Sequence, residues 1–202
     1  MNQLEKYKEF MACLTNHIEL QCYKNESFKQ IKIRILTSYA AFFLKQAIQE
    51  PNPEQKEKYF QGVKSNLNKS DKIEINEKAS FVLKGYFFFY QSEFQQSNNY
   101  FDNAKETDPN YVPCIFGRAC IEYAKKNYQE ALKLYKNALR LNPNGAPEMR
   151  LGLGYCYYQL DNIELALKAF ESVIVRDKHN VQAIIAIAVI CRKLERYDQY
   201  YE

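Results

Sequence analysis

Histidine is almost missing from this sequence: only His17 and His179 occur in 202 residues. With one towards each end, no Ser/His/Asp or Cys/His arrangement for nucleophilic catalysis can be assembled, so no catalytic residue is expected. Six cysteines are present, Cys13, Cys22, Cys114, Cys120, Cys156 and Cys191, but no two form a C-x-x-C pair. A metal site is therefore not expected, and the thiols read as reduced side chains that pack like small apolar groups. No apolar run reaches the ~18 residues of a membrane span, and the leading MNQLEKYKEF lacks the apolar stretch of a signal peptide. No membrane association is expected, and the chain is expected in the cytoplasm or nucleus. Charge of one sign is scarce as well. The formal net charge is +4, and the one basic cluster, Lys24, Lys29, Lys32 and Arg34, is diluted by Glu26. A solvated helix face is the simpler reading, and direct nucleic-acid binding is not expected. The segment LGLGYC contains G-x-G, but no third glycine follows at dinucleotide-fold spacing and no strand precedes it. Neither a cofactor nor a small-molecule substrate is expected.

What the sequence does have is a period. Gly85, Ala119 and Gly154 stand 34 and then 35 residues apart. The same steps separate Ser97, Ala131 and Ala166, and again Phe101, Tyr135 and Phe170, while Pro109 and Pro143 mark a fourth phase. This is the period of the tetratricopeptide (TPR) unit, a helix-turn-helix whose small residues let two helices approach and whose large residues fill the space between units. The expected fold class is all-α, a TPR right-handed superhelix.

Along the chain, residues 3–23 read as a first helix through Leu4, Tyr7, Met11, Leu14, Ile18 and Cys22, broken by Asn25, Glu26 and Ser27. A second helix at about 29–49 follows Ile33, Leu36, Ala40, Phe43, Leu44 and Ala47, and ends at Pro51 and Pro53. A partner at 54–68, through Tyr59, Phe60, Val63 and Leu67, completes a divergent TPR-like pair. From residue 78 the repeats are regular, at about 78–111, 112–145 and 147–180 with a partial unit at 181–202. Their helices are expected at about 78–91, 94–107, 112–125, 128–141, 147–160, 162–176 and 181–194, with Pro113 and Pro147 in first turns where a missing N–H costs little. Residues 1–77 thus form an N-terminal segment and 78–202 the regular array. The sequence stops inside the second helix of the partial unit, so the array reads as cut rather than capped. Ile184, Ile187 and Val189 are expected to be poorly covered unless Tyr197, Tyr200 and Tyr201 shield them, and self-association is expected.

In a TPR array the first helix of each unit lines a concave groove. By repeat phase the groove positions are Val82, Tyr86, Phe89 and Tyr90, then Phe116, Cys120 and Tyr123, then Leu151, Tyr155 and Tyr158, and finally Ile185 and Val189. Tyrosine has an apolar body and a polar tip, which suits a partner-binding surface; Phe89 and Phe116 fit packing against neighbouring helices equally well. The expected occupant is an extended or helical apolar segment of another protein. A co-chaperone TPR would instead clamp a C-terminal carboxylate with lysine, asparagine and arginine at set groove positions. Those positions hold Val82, Tyr86, Gly117, Glu148 and Gly152, or, one repeat on, Phe116, Cys120, Gly152, Gln182 and Ala186. Neither set can hold a carboxylate.

Residues 117–174 carry a closer resemblance, and the telling part is Pro147, Arg150, Leu151, Gly152, Gly154 and Cys156. Arg150 stands where an ordinary TPR has a large apolar residue. This stretch resembles the TPR scaffold subunit of the polymerase-associated factor (PAF) complex, in which a P-x-x-R-(L/I)-G-x-G-x-C pattern recurs. Upstream, SYAAFFLKQAI and FVLKGYFFFYQSEFQQSNNYFDNA are similar to that family's early repeats, so the resemblance covers about residues 30–195. It implies a nuclear, non-enzymatic scaffold that binds other PAF complex subunits, reaches RNA polymerase II through the complex, and supports histone modification coupled to transcription elongation. Family members are much longer than this chain. The other readings of such an array are an adaptor of an unrelated cytoplasmic assembly and a TPR block that positions a catalytic domain.

Overall fold

The computed structural model describes residues 26–194. Among them are nine helices and no strand: α1 (Glu26–Gln49), α2 (Pro53–Asp71), α3 (Lys78–Tyr90), α4 (Phe94–Thr107), α5 (Val112–Ala124), α6 (Tyr128–Leu141), α7 (Pro147–Gln159), α8 (Ile163–Ile174) and α9 (Val181–Lys193). The helix read at 3–23 lies outside the described residues, as do Tyr197, Tyr200 and Tyr201. The all-α TPR reading holds, with helix bounds that differ at two places. Helix α1 begins at Glu26, three residues ahead of the start read from the sequence. Helix α2 runs on to Asp71 because its end is tied down: Ser70 is fully buried and Asp71 pairs with Lys84 at 2.7 Å.

The helix starts follow from local chemistry. Within PNP the prolines end α1 while Asn52 caps α2, its Oδ1 accepting from the backbone N–H groups of Glu54 at 2.9 Å and Gln55 at 3.3 Å, with Pro53 in the first turn. Glu77 caps α3 by accepting from Ser80 N–H at 2.8 Å, and Asn180 caps α9 by accepting from Ala183 N–H at 3.1 Å. Pro113 and Pro147 both sit in the first turn of their helices.

The first helix of each regular repeat ends in one recurring device. Ser92, Lys126 and Asp161 have φ of 63°, 66° and 59°. Around each, two N–H groups turn back onto the helix: Ser92 N–H bonds to Phe89 O and Glu93 N–H to Phe88 O, and the same pairs recur as Lys126 to Tyr123 with Asn127 to Glu122, and as Asp161 to Tyr158 with Asn162 to Tyr157. This is the Schellman turn, in which a left-handed residue lets two orphan carbonyls find donors. Glycine adopts that conformation without a Cβ penalty, whereas these residues carry one. Exposed Lys126 is therefore a site where Lys126→Gly is expected to stabilise the chain by about 0.5 kcal/mol, the relieved strain outweighing the added freedom of the unfolded chain. A lower urea midpoint for that variant would contradict this account.

The chain divides into two compact units between Thr107 and Asp108. In the N-terminal unit α1 packs with α2, α3 packs with α4, and α3 also lies on the first pair. Ala40, Leu44, Phe60, Val63, Leu67 and Phe87 fill its core, with Phe60 edge-on to Phe87 at 5.5 Å. Helices α3 and α4 cross at Gly85, where an added Cβ would lie 2.7 Å from the Phe101 ring, and Ser97 Oγ donates to Gly85 O at 2.7 Å across the crossing.

In the C-terminal unit α5 pairs with α6, α7 with α8, and α9 lies on α8. Gly154 repeats the crossing, facing Phe170, while Ala131 and Ala166 are fully buried at the corresponding small-residue phase. The link 142–146 holds the extra residue of the longer repeat step. Arg150 grips it from α7, its guanidinium donating to Pro143 O and to Gly145 O, and Arg176 reaches Asn144 Oδ1 at 3.4 Å. The arginine that replaces a large apolar residue therefore satisfies loop carbonyls.

Candidate functional site

On the C-terminal unit, α5, α7 and α9 surround a cavity of about 390 Å³, into which two successive repeats bring three tyrosines. Tyr123 comes from α5 and Tyr155, Tyr158 and Gln159 from α7. Helix α9 contributes Gln182, Ile185, Ala186 and Val189, with Phe170 of α8 behind them. The Tyr155 ring stands edge-on to Phe170 at 5.1 Å and 6.4 Å from Tyr123. Tyr123 and Gln159 share a side-chain hydrogen bond, and burial pushes the Tyr123 and Tyr155 hydroxyls above the ordinary tyrosine range, so both remain donors at neutral pH. No residue lining the cavity is charged. The ammonium of Lys193 lies 5.5 Å above the Tyr158 ring and is paired with Asp161 at 3.2 Å. Ile185 is 57% exposed and Val189 40%, so the α9 wall is apolar and open.

The N-terminal unit has a smaller cavity of about 240 Å³ between α1 and α3, lined by Ala41, Leu44, Lys45, Ile48, Tyr86 and Tyr90 among others. Tyr86 is edge-on to Phe101 at 5.3 Å, and Tyr90 is exposed.

Five of the positions assigned by repeat phase, Tyr123, Tyr155, Tyr158, Ile185 and Val189, therefore meet in one cavity, and Tyr86 and Tyr90 meet in the other. Several others need correction. Val82 and Leu151 are buried, Leu151 within the cluster built around Phe170, so neither side chain is available to a partner. Both sit in the first half of their helices, where neighbouring helices cover the face that opens further along. Phe116 packs on Tyr135 at 5.8 Å, and Cys120 Sγ accepts from the Tyr135 hydroxyl at 3.4 Å. Phe89 packs against Tyr90 and Phe94 and lines neither cavity. Ile187, expected to be poorly covered, is buried, whereas Ile184 is exposed. Gln159, Gln182 and Ala186 were not among the groove positions. Gln182 and Ala186 occupy clamp positions of the shifted frame, so repeat phase did point at that wall.

Among the described residues Cys114, Cys156 and Cys191 are buried and Cys120 is partly so. Cys156 is fully buried, and burial together with neighbouring Cys120 pushes it up to about 12, while burial raises Cys120 as well. The unfolded chain releases the Cys156 proton near 9.0, and the folded chain holds it to about 12. This contribution to stability is complete below pH 9 and is lost as pH rises towards 12; Tyr123 and Tyr155, also raised, act in the same direction. Urea midpoints are expected to fall across that window, and to fall less in Cys156→Ala. An equal fall in both chains would show that this thiol does not contribute. No group of three or more His, Cys, Asp or Glu that could hold a metal occurs among the described residues, and none of their helices is long and apolar enough to cross a membrane.

The tetratricopeptide repeat family model matches residues 122–175. Protein CTR9 homolog of Arabidopsis thaliana is 30% identical over 162 residues, which is 80% of this chain and 15% of that protein. RNA polymerase-associated protein CTR9 of Caenorhabditis elegans is 25% identical over 205 residues, 96% of this chain and 18% of that protein. The chain thus spans less than a fifth of the length of either relative. Among solved structures, a thermophilic TPR protein of Thermus thermophilus superposes with a TM-score of 0.56 at 13% identity, over 81% of this chain and 99% of that one. At that identity the likeness shows the fold alone.

Proposed function

The chain is a CTR9-like tetratricopeptide-repeat protein, and from that premise we propose that it is a non-enzymatic interaction scaffold of the PAF transcription elongation complex. In this reading it resides in the nucleus, binds other PAF complex subunits, meets RNA polymerase II through them, and supports histone modification. Residues 78–202 serve as the repeat array and residues 1–77 as the divergent segment ahead of it. The observation that carries the reading is the uncharged cavity built by Tyr123, Tyr155 and Tyr158 from consecutive repeats. Aromatic side chains with a polar tip are the residue type that protein interfaces concentrate, and a few such rings carry most of the binding energy. A neutral wall also leaves little role for long-range electrostatics.

The test is affinity purification of the tagged chain from nuclear extract with identification of the co-purifying subunits. PAF subunits and RNA polymerase II are expected in the eluate. Recovery of an unrelated cytoplasmic assembly in their place would overturn the reading in favour of a general TPR adaptor.

A further inference from the structure

We infer that the tyrosine cavity of the C-terminal unit takes an uncharged, proline-rich segment in the polyproline II conformation. This rests on the proposal that the face binds a protein segment, and it names the kind of segment. The rings give the first argument. Tyr123 and Tyr155, one repeat apart, have centroids 6.4 Å apart and planes tilted by 52°. A polyproline II chain has three residues per turn and rises ~3.1 Å per residue, so residues two apart advance by about 6.2 Å and occupy two adjacent edges of the chain, one for each of the two tilted tyrosines.

Polar chemistry gives the second argument. A polyproline II segment makes no internal hydrogen bonds, so its carbonyls require outside donors. The cavity supplies them in the amide of Gln182 and in the hydroxyls of Tyr155 and Tyr158, while the Gln159 side chain is bonded to Tyr123. A bound helix would already have satisfied its own carbonyls and would leave those donors unused along its length. Charge supplies the third argument: none of the lining residues is charged, and the nearby Lys193 is engaged by Asp161. A charged segment would lose its hydration there with no partner to replace it. The exposed side chains of Ile185 and Val189 then cover the outer edge of the proline rings. Proline-rich chains also lose little conformational freedom on docking, which suits a shallow aromatic wall.

The experiment uses the whole chain and a fluorescein-labelled polyproline peptide of about ten residues, with an alanine peptide of equal length for comparison, read by fluorescence anisotropy. Polyproline is expected to bind at least roughly tenfold more tightly than polyalanine. Ile185→Asp and Gln182→Ala should each weaken it, and Lys45→Ala, in the other unit, should not. Equal binding of the two peptides, or polyproline binding that Ile185→Asp leaves intact, overturns the inference. If polyproline fails while Ile185→Asp still releases the PAF subunits, the inference falls and the scaffold reading stands. If the subunits stay bound to Ile185→Asp, this face is not the binding site and both fall.

Discussion

Gly154→Val is expected to lower the stability of the folded chain by about 3 kcal/mol, the upper end of the usual cost of over-packing. A Cβ at this position would lie 2.6 Å from Phe170 Cε1 and 2.8 Å from its Cζ. The ring has nowhere to go. Phe170 is 1% exposed, packed among Leu151, Val173, Ile187 and Ile190, and capped edge-on by Tyr155. Gly62 offers the contrast, since a Cβ there meets Phe43 at 3.0 Å, a longer approach, and that ring is only half-buried. Urea denaturation measures the loss, and a double-mutant cycle tests its cause. Shrinking the ring with Phe170→Leu should recover part of the loss in the Gly154→Ala background, so that the two changes are strongly non-additive. Additive costs would show that the glycine is required for some other reason.

The pair Ile185→Asp and Val189→Asp is expected to weaken capture of the partner by about 2 kcal/mol or more, about thirtyfold in affinity, with little change in stability. Both side chains are exposed on α9, so carboxylates there stay hydrated in the free chain and become costly only when a partner covers them. Helical circular dichroism and the urea midpoint check the fold, and titration with the purified partner checks binding. Undiminished affinity in a folded variant would move the partner to another face. Glutamate at Tyr86 or Tyr155 would be a poorer probe. Tyr86 stands against Phe101 and Tyr155 against Phe170, so either change is expected to damage packing and binding together.

The repeat positions were legible because each has one physical demand. Where two helices cross, only a small side chain fits, and Gly85, Ala119 and Gly154 mark those points without reference to any structure. Pro113 and Pro147 marked first turns for an equally simple reason. The turns after α3, α5 and α7 were legible in position to within a residue, but their left-handed geometry was not. Helix ends of this type are signalled by glycine, and the chain uses Ser92, Lys126 and Asp161, whose backbone strain leaves no trace in composition. Among the candidate site residues, phase separated the tyrosines of the cavity from the solvent face. It could not separate Val82 and Leu151 from them, because whether a side chain faces a cavity or a neighbouring helix depends on what that neighbour covers. Gln159 escaped notice because a polar residue on a helix is ordinarily a solvated one, and Gln182 was reached only as a clamp position of the shifted frame.

The grip of Arg150 on the link before α7 bears on how such an array can change in length. Its guanidinium contacts only backbone oxygens of that link, Pro143 O and Gly145 O, and a carbonyl is the same whichever residue bears it. Side chains in the link can thus change without touching this contact, Gly145 excepted, where a Cβ would lie 2.9 Å from Met149 Sδ. A residue gained or lost there is absorbed so long as two carbonyls stay within reach of one planar fork, while the helices on either side keep their register. One arginine makes this link a tolerant splice point in a repeat whose other spacings are held by close packing.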